Sequence, residues 1–417
     1  MNEKSLYAVI DLKSFYASCE CAARNLDIFT TPLVVLDPTR GPSTICMSAT
    51  PFLREKYHIP NVSRRRDLPN VPGMIYAQPR MAYYVEMSSR VVSIFLDFVS
   101  EEDLHVYSID ESFLNIGPYL KLANQTPEEF VMSIQKRIKD ELGLVATAGI
   151  APNMFLAKIA LDNEGKKKAP YLARWDEKDV QRKLWKISPI TKIWGISHGT
   201  ENHLARIGIR SIEELAKADE RLLKKEFGVM GKQLHDLANG IDPTDIRKKY
   251  VPKETNLSMG QTLNKNYRAR GAKILLREMV DDLALRLRLS KQKSGGVGVF
   301  TGYSADVGGG FSHQATLLFP TDDNAILFQV IEELFDRYYD GGPIRNLGIS
   351  FFRLGSYSYN QLSLFEAPEE SEERHNLHVT IDEIWALYGK NSCLRATSLL
   401  EESTIRERHQ QIGGHKA

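Results

Sequence analysis

At 417 residues, with 42% hydrophobic and 26% charged positions, the chain has an ordinary globular composition and, at roughly 150 residues per domain, too much length for one core. Its net charge of +1 would argue against a nucleic-acid partner if the charge were spread evenly, and no apolar run approaches the length of a membrane span. Cys19, Cys21, Cys46 and Cys393 show no C-x-x-C spacing and no nearby His pair, which argues against a zinc site and predicts reduced thiols.

Residues 6–11 form an apolar strand ending in Asp11, and the pattern predicts a helix over 14–23 directly after it. A buried strand follows at 32–36, then a strand-like 44–47 and a short helix over 51–57 that carries Arg54. The Arg64-Arg65-Arg66 knot lies in a loop and reads as a solvated face. Residues 81–99 place Tyr84, Met87, Val91, Ile94, Phe95 and Phe98 at helical spacing, a core-facing helix.

The stretch 107–116 then sets two adjacent carboxylates, Asp110 and Glu111, inside an otherwise apolar run. Alternation through Tyr107, Ile109, Glu111 and Phe113 suits a strand, with an acid among three large apolar neighbours. Such a carboxylate is costly unless it is paired, hydrogen-bonded or bound to a cation. A hairpin turn at Asp110-Glu111 is the plainer reading. Asp11 on its own strand shifts the balance, because two strand-borne acids and a third neighbour are what two-cation phosphoryl transfer requires.

A second amphipathic helix spans 127–142, a strand 144–150, and a helix over 153–161 bears Lys158. This succession predicts an antiparallel sheet covered on one side, with Asp11 and Asp110 side by side at its centre. Residues 162–168, a run of charged residues around Gly165, read as a boundary. Beyond it, 194–200, 204–209 and Ser211 before Ile212 describe short helices around glycine turns, suited to phosphate oxygens. The last folded unit, 256–357, reads β-α-β-β-α-β. Basic residues dominate from Arg247 to Lys293, while Glu366, Glu369, Glu370, Glu372 and Glu373 crowd the tail, an asymmetry expected of one polyanion-facing surface. The apolar stretch 361–365 has no neighbours to cover it and is a docking-peptide candidate. Residues 380–388 predict a short amphipathic helix of unread role.

Ile10-Asp11-x-x-x-Phe15-Tyr16-Ala17-Ser18-Cys19-Glu20, Ser108-Ile109-Asp110-Glu111 and Gly149-Ile150-Ala151-x-Asn153-x-x-x-Ala157-Lys158-Ile159-Ala160 stand in an order that resembles the Y-family translesion DNA polymerases, above all their UmuC-like branch in Gram-positive bacteria. The resemblance runs from residue 5 to about 357 and implies an α+β, multidomain right hand. Its parts would be a ferredoxin-like palm (1–21 and 80–165), small fingers (22–79), a helical thumb with helix-hairpin-helix turns (166–244), a basic linker (245–255), a β-α-β-β-α-β little finger (256–357), and a clamp-binding peptide with tail (358–417).

By matching positions, Asp11, Asp110, Glu111 and the Leu12 carbonyl would hold two Mg²⁺ ions, with Mn²⁺ able to substitute, and Glu111 would stand on the primer side. Phe15, Tyr16, Arg54 and Lys158 would bind the nucleotide, Tyr16 excluding a 2′-hydroxyl by bulk. Gln361, Leu362, Leu364 and Phe365 look like a sliding-clamp motif. The implied activity is template-directed, low-fidelity addition of dNTPs to a primer 3′ end in DNA damage tolerance, without proofreading. Partners would be primer–template DNA, dNTP, the clamp and, as in some relatives, activating subunits, in a cytoplasmic, nucleoid-associated setting without membrane. Pro51 departs from the family's Tyr three residues before Arg54, and Ser197 from a thumb glycine. The competing readings are a nucleotidyl cyclase and a non-catalytic DNA- and clamp-binding accessory protein.

Overall fold

The computed structural model describes residues 5–60, 62–249, 251–252, 254–356 and 368–417, and the chain divides into two units, Met1–Lys249 and Tyr250–Lys416. In the first unit, strand β1 (Tyr7–Leu12) runs into helix α1 (Phe15–Ala22) through Ser14, held at φ +50°, a left-handed conformation that side chains resist. A small three-stranded sheet follows, from β2 (Leu33–Val35), β3 (Ser48–Ala49) and β4 (Ile75–Ala77), with helix α2 (Pro51–Tyr57) after β3. Pro51 is the first residue of α2, where its missing N–H costs nothing, so the departure from Tyr has a local structural use.

Helix α3 (Met81–Leu96), strands β5 (Leu104–Val106) and β6 (Glu111–Asn115), helix α4 (Pro127–Leu142) and strand β7 (Ala146–Ala151) complete a β-α-β-β-α-β set. Its antiparallel strand order, β7-β1-β6-β5, is the ferredoxin-like arrangement, and β8 (Leu172–Arg174) adds a parallel edge beside β7. Helix α4 starts on a capping box, Thr126 with Glu129, and stops at Gly143, whose φ of +68° suits a residue without a side chain.

The sheet is covered on both faces, not one. Ala8, Ile10, Leu114, Ala148 and Ile150 pack under α1, α3 and α4 with Tyr84, Phe95 and Ile134. Tyr7, Val9 and Phe113 point the other way, and an apolar set of that size needs its own cover. Helix α5 (Met154–Ala160) provides it together with Trp175, Leu184 and Leu204, so one core takes in residues on both sides of 162–168, where the sequence suggests a break. Gly149 permits the close fit: a Cβ there would lie 2.2 Å from the Ala157 carbonyl oxygen.

Helices α6 (His198–Arg206), α7 (Ile212–Lys217), α8 (Glu220–Phe227) and α9 (Val229–Ala238) follow. Gly195 (φ +91°) and Gly208 (φ +86°) shape the first pair. Ser197 is the N-cap of α6, its hydroxyl accepting from the Thr200 N–H, so the serine does a job a glycine could not.

In the second unit, β9 (Leu257–Tyr267), α10 (Ala269–Leu289), β10 (Lys293–Tyr303), β11 (Gly310–Thr321), α11 (Asn324–Tyr338) and β12 (Ile344–Gly355) give the expected β-α-β-β-α-β succession, in the strand order β9-β12-β10-β11. What lies beyond is not a loose acidic tail. Helix α12 (Pro368–Tyr388) takes in the glutamates from 369 onward, and residues 390–409 fold back on α10, where Glu278, Asp281 and Asp282 are buried. Arg395 forks onto Asp281 at 2.7 and 3.1 Å; Arg408, Lys390 and His409 reach Asp282 at 3.0, 3.3 and 3.0 Å. The candidate clamp residues Gln361, Leu362, Leu364 and Phe365 lie outside the described residues.

The basic run from Arg247 to Lys293 is not a single outward surface. Arg247 forks onto Asp103 at 2.8 Å twice, Lys273 pairs with Glu332 and Asp336, and Arg288 pairs with Asp382. Counting charges along a chain does not reveal partners supplied from elsewhere in the fold. Among the described residues, no helix is long and apolar enough to cross a membrane.

Candidate active site

Pairing of β1 with β6 puts Asp11 directly opposite Glu111. Like charges in that register repel, so the arrangement needs cations over it. Lys158 on α5 sets its Nζ 2.8 Å from Glu111 Oε2, and Lys166 sets its Nζ 2.9 Å from Asp11 Oδ2. Asp162 stands between the two lysines, at 3.2 Å from Lys158 and 2.9 Å from Lys166.

Asp110 is not on a strand. The Tyr107 and Ser108 N–H groups both donate to the Glu111 carbonyl at 3.0 Å, closing a tight turn over 107–110 between β5 and β6. The single strand expected over 107–116 is therefore a hairpin, and the plainer reading of the backbone holds. Ser108 is the reason: its hydroxyl donates to Asp110 Oδ1 at 2.8 Å, a local bond that competes with the ladder. The turn still delivers the acid, because the Asp110 carbonyl accepts from Leu12 N–H at 2.9 Å, next to Asp11.

Burial pushes the Asp11 carboxyl up from its usual range, opposed by Lys166 and reinforced by Asp110. Glu111 is likewise raised by burial against the pull of Lys158. Burial would lower the Lys166 ammonium, but Asp11 and Asp162 outweigh it and hold it up. Glu111 Oε1 is buried with no hydrogen-bond partner, an acceptor in want of a cation. A carboxylate-and-carbonyl oxygen set suits Mg²⁺ by hardness. Among the described residues, no three His, Cys, Asp or Glu side chains are gathered into a finished metal cage, and ammonium groups pair with two of the carboxylates. A cavity of about 280 Å³ beside Met154, Trp194 and Leu237 is lined by none of the three acids.

The remaining expected residues divide. Tyr16 is half-buried, its ring 4.9 Å from that of Tyr84, and close enough to feel Asp110. Phe15 is 3% exposed, with its ring in the core beneath Tyr16, so any nucleotide contact falls to its main chain. Arg54 donates from Nε to the Ala49 carbonyl at 3.2 Å and lies within electrostatic reach of Asp11.

Sequence reasoning missed what fixes these groups. Glu20 is fully buried and accepts from Arg80 Nε and the Tyr84 hydroxyl, each at 2.8 Å, and from Arg24. An acid four residues after Tyr16 in an apolar helix was the available signal. Lys166 and Asp162 fall in the stretch that the sequence reads as a boundary, and Lys13, whose Nζ donates to the Lys166 carbonyl at 3.1 Å, belongs to none of the motifs that point to the site.

The impB/mucB/samB family model matches residues 10–162, and the model of that family's C-terminal domain matches residues 255–364. A putative UV-damage repair protein, UvrX of Bacillus subtilis, is 35% identical over 98% of this chain and 97% of its own. A DNA polymerase IV 2 of the same organism is 31% identical over 100% of this chain and 99% of its own. A solved Y-family DNA polymerase chimera of Dbh and Dpo4 shares the fold at a TM-score of 0.63, with 20% identity, 84% of this chain covered and 98% of that one.

Proposed function

The chain belongs to the Y-family DNA polymerases in their UmuC-like branch, and from that premise we propose that Asp11, Asp110 and Glu111 carry its nucleotidyl transfer. It is a DNA-directed DNA polymerase of translesion synthesis. When bound, two Mg²⁺ ions supply Lewis-acid stabilisation of the attacking and leaving oxygens, and Asp11, Asp110, Glu111 and the Leu12 carbonyl would hold them. Glu111 faces the primer 3′-hydroxyl. Lys158 and Arg54 bind the triphosphate, the first as a point charge and the second as a fork. Tyr16 packs on the sugar and leaves no room for a 2′-hydroxyl.

What supports this reading is Asp11 standing opposite Glu111 across paired strands, with the Asp110 carbonyl bonded to the neighbouring Leu12 N–H and Glu111 Oε1 buried and unpartnered. Primer extension tests it. Asp110→Asn is expected to abolish nucleotide addition while leaving primer–template binding nearly intact. Full activity of that variant would sink the assignment. The accessory-protein alternative predicts no extension even by the wild type, and family membership removes the cyclase alternative.

The same reading takes synthesis to be error-prone and unproofread, in the cytoplasm near the nucleoid, with Gln361, Leu362, Leu364 and Phe365 docking on a sliding clamp. Extension by the purified chain alone would show that activating subunits are not obligatory.

A further inference from the structure

Strand register extends the acid pair into a row. Asp11 of β1 is opposite Glu111 of β6, and the next residues on that face, Val9 and Phe113, are likewise opposite each other. Across the other edge of β6, His105 of β5 pairs with Phe113 and Val106 with Ser112. Side chains alternate along a strand, so Tyr107 continues the His105 face and stands beside Glu111, on the side away from Asp11. Its N–H, donating to the Glu111 carbonyl at 3.0 Å, fixes that place. Tyr107 is 47% exposed, yet its ring is braced. It stands nearly perpendicular to Phe113 and to Trp194, each at 5.8 Å between centres, while Trp194 stacks on Phe113 at 6.0 Å. Phe113 is already fully buried, so the core has no need of the outer half of the Tyr107 ring.

We propose that Tyr107 positions the primer: its exposed ring packs on the deoxyribose of the nucleotide at, or next to, the primer 3′ end and holds the terminal hydroxyl at Glu111. This rests on the polymerase reading above, in which Glu111 stands on the primer side. The lateral order Asp11, Glu111, Tyr107 selects the primer strand as the occupant. Neighbouring strands lie roughly 5 Å apart, so Tyr107 is one strand beyond Glu111 and two beyond Asp11. The residue type fits the charge of the place. An ammonium at 107 would compete for Glu111, as Lys158 does at 2.8 Å, and a carboxylate would repel the phosphates of the strand. A neutral, braced ring does neither. Every nucleotide presents the same sugar, so the grip is independent of sequence, as a polymerase requires.

The test uses the full chain with primer–template, dNTP and Mg²⁺. Tyr107→Ala is expected to lower kcat about tenfold at saturating DNA, the size of one lost aromatic contact to a nucleotide, and to leave the KM for dNTP unchanged. Tyr107→Phe, which keeps the ring, should restore the wild-type rate. Val106→Ala, at an exposed residue of the opposite face, should change neither constant. Tyr107→Leu gives the same comparison if the alanine variant does not fold. The direct measurement places p-benzoylphenylalanine at position 107, where irradiation joins it to nearby sugar C–H groups. Cross-links are expected on the primer, at its last or next-to-last nucleotide. Cross-links on the template alone, or none in a protein that still binds primer–template, overturn the proposal. So does a Tyr107→Ala protein with wild-type kcat, or one whose only change is a raised KM for dNTP, the mark of a merely structural tyrosine. If the wild-type chain extends no primer at all, it is the polymerase reading that falls.

Discussion

Tyr16 owes its position to side chains that no local motif displays. Its ring leans on Tyr84, and the Tyr84 hydroxyl donates to Glu20, which two arginines also hold. Tyr16→Ala is expected to admit ribonucleotides, read as the ratio of dNTP to rNTP incorporation. Tyr84→Phe keeps the ring but drops one hydrogen bond to a buried carboxylate, a change on the order of 1–3 kcal/mol in stability. That variant should relax the same ratio only part of the way, with Tyr16 still present but less firmly held; an unchanged ratio would separate the Glu20 cluster from sugar selection. The acids and Tyr16 were legible in the sequence because each stands in a short pattern. Glu20 met Arg80 and Tyr84 only in three dimensions, across 60 and 64 residues, where no spacing rule reaches.

At the level of elements, the approach of α5 to β7 decides where Lys158 stands. Gly149→Ala would push a methyl against the Ala157 carbonyl, a backbone atom that cannot turn aside. Overpacking of this kind costs about 1–3 kcal/mol, or a Tm roughly 5 °C lower for a unit of this size. Because α5 must shift, the KM for dNTP should rise in the same variant; a stable protein with an unaltered KM would show that the helix has room. Hydrophobic periodicity located α3, α4 and the six elements of 257–355, since each buries one face. It failed over 107–116, where the alternation of Tyr107, Ile109 and Glu111 mimics a strand but Ser108 bonds its own backbone neighbourhood and turns the chain. It also reads 162–168 as a boundary, because a π-turn has neither period 2 nor period 3.6.

For the molecule as a whole, the C-terminal segment changes what the second unit is. Burial would raise the Asp282 carboxyl, but His409, Arg408 and Lys390 outweigh it and bring it down to about 2. A folded value below the ordinary 3.8 gives stability that is complete above that pH and is lost as pH falls toward 2. The amount is on the order of 2 kcal/mol at neutral pH. Acid titration of the full chain should therefore release residues 390–409 in that window, measured by amide exchange; Asp282→Asn should flatten the dependence. The clamp proposal belongs to this scale too. Replacing Leu364 and Phe365 by Ala is expected to eliminate stimulation by the clamp and spare basal synthesis, and equal stimulation would point to another partner.

The docked segment brings with it an indole of its own. Trp175, Trp185 and Trp194 lie in the first unit, so Trp385 is the second unit's one tryptophan. It is 8% exposed, and its ring N–H donates to the Cys393 carbonyl at 2.8 Å. With the other three changed to Phe, the emission spectrum becomes an optical gauge of whether that appendage is seated, shifting to longer wavelength as water reaches the ring, with no dye attached.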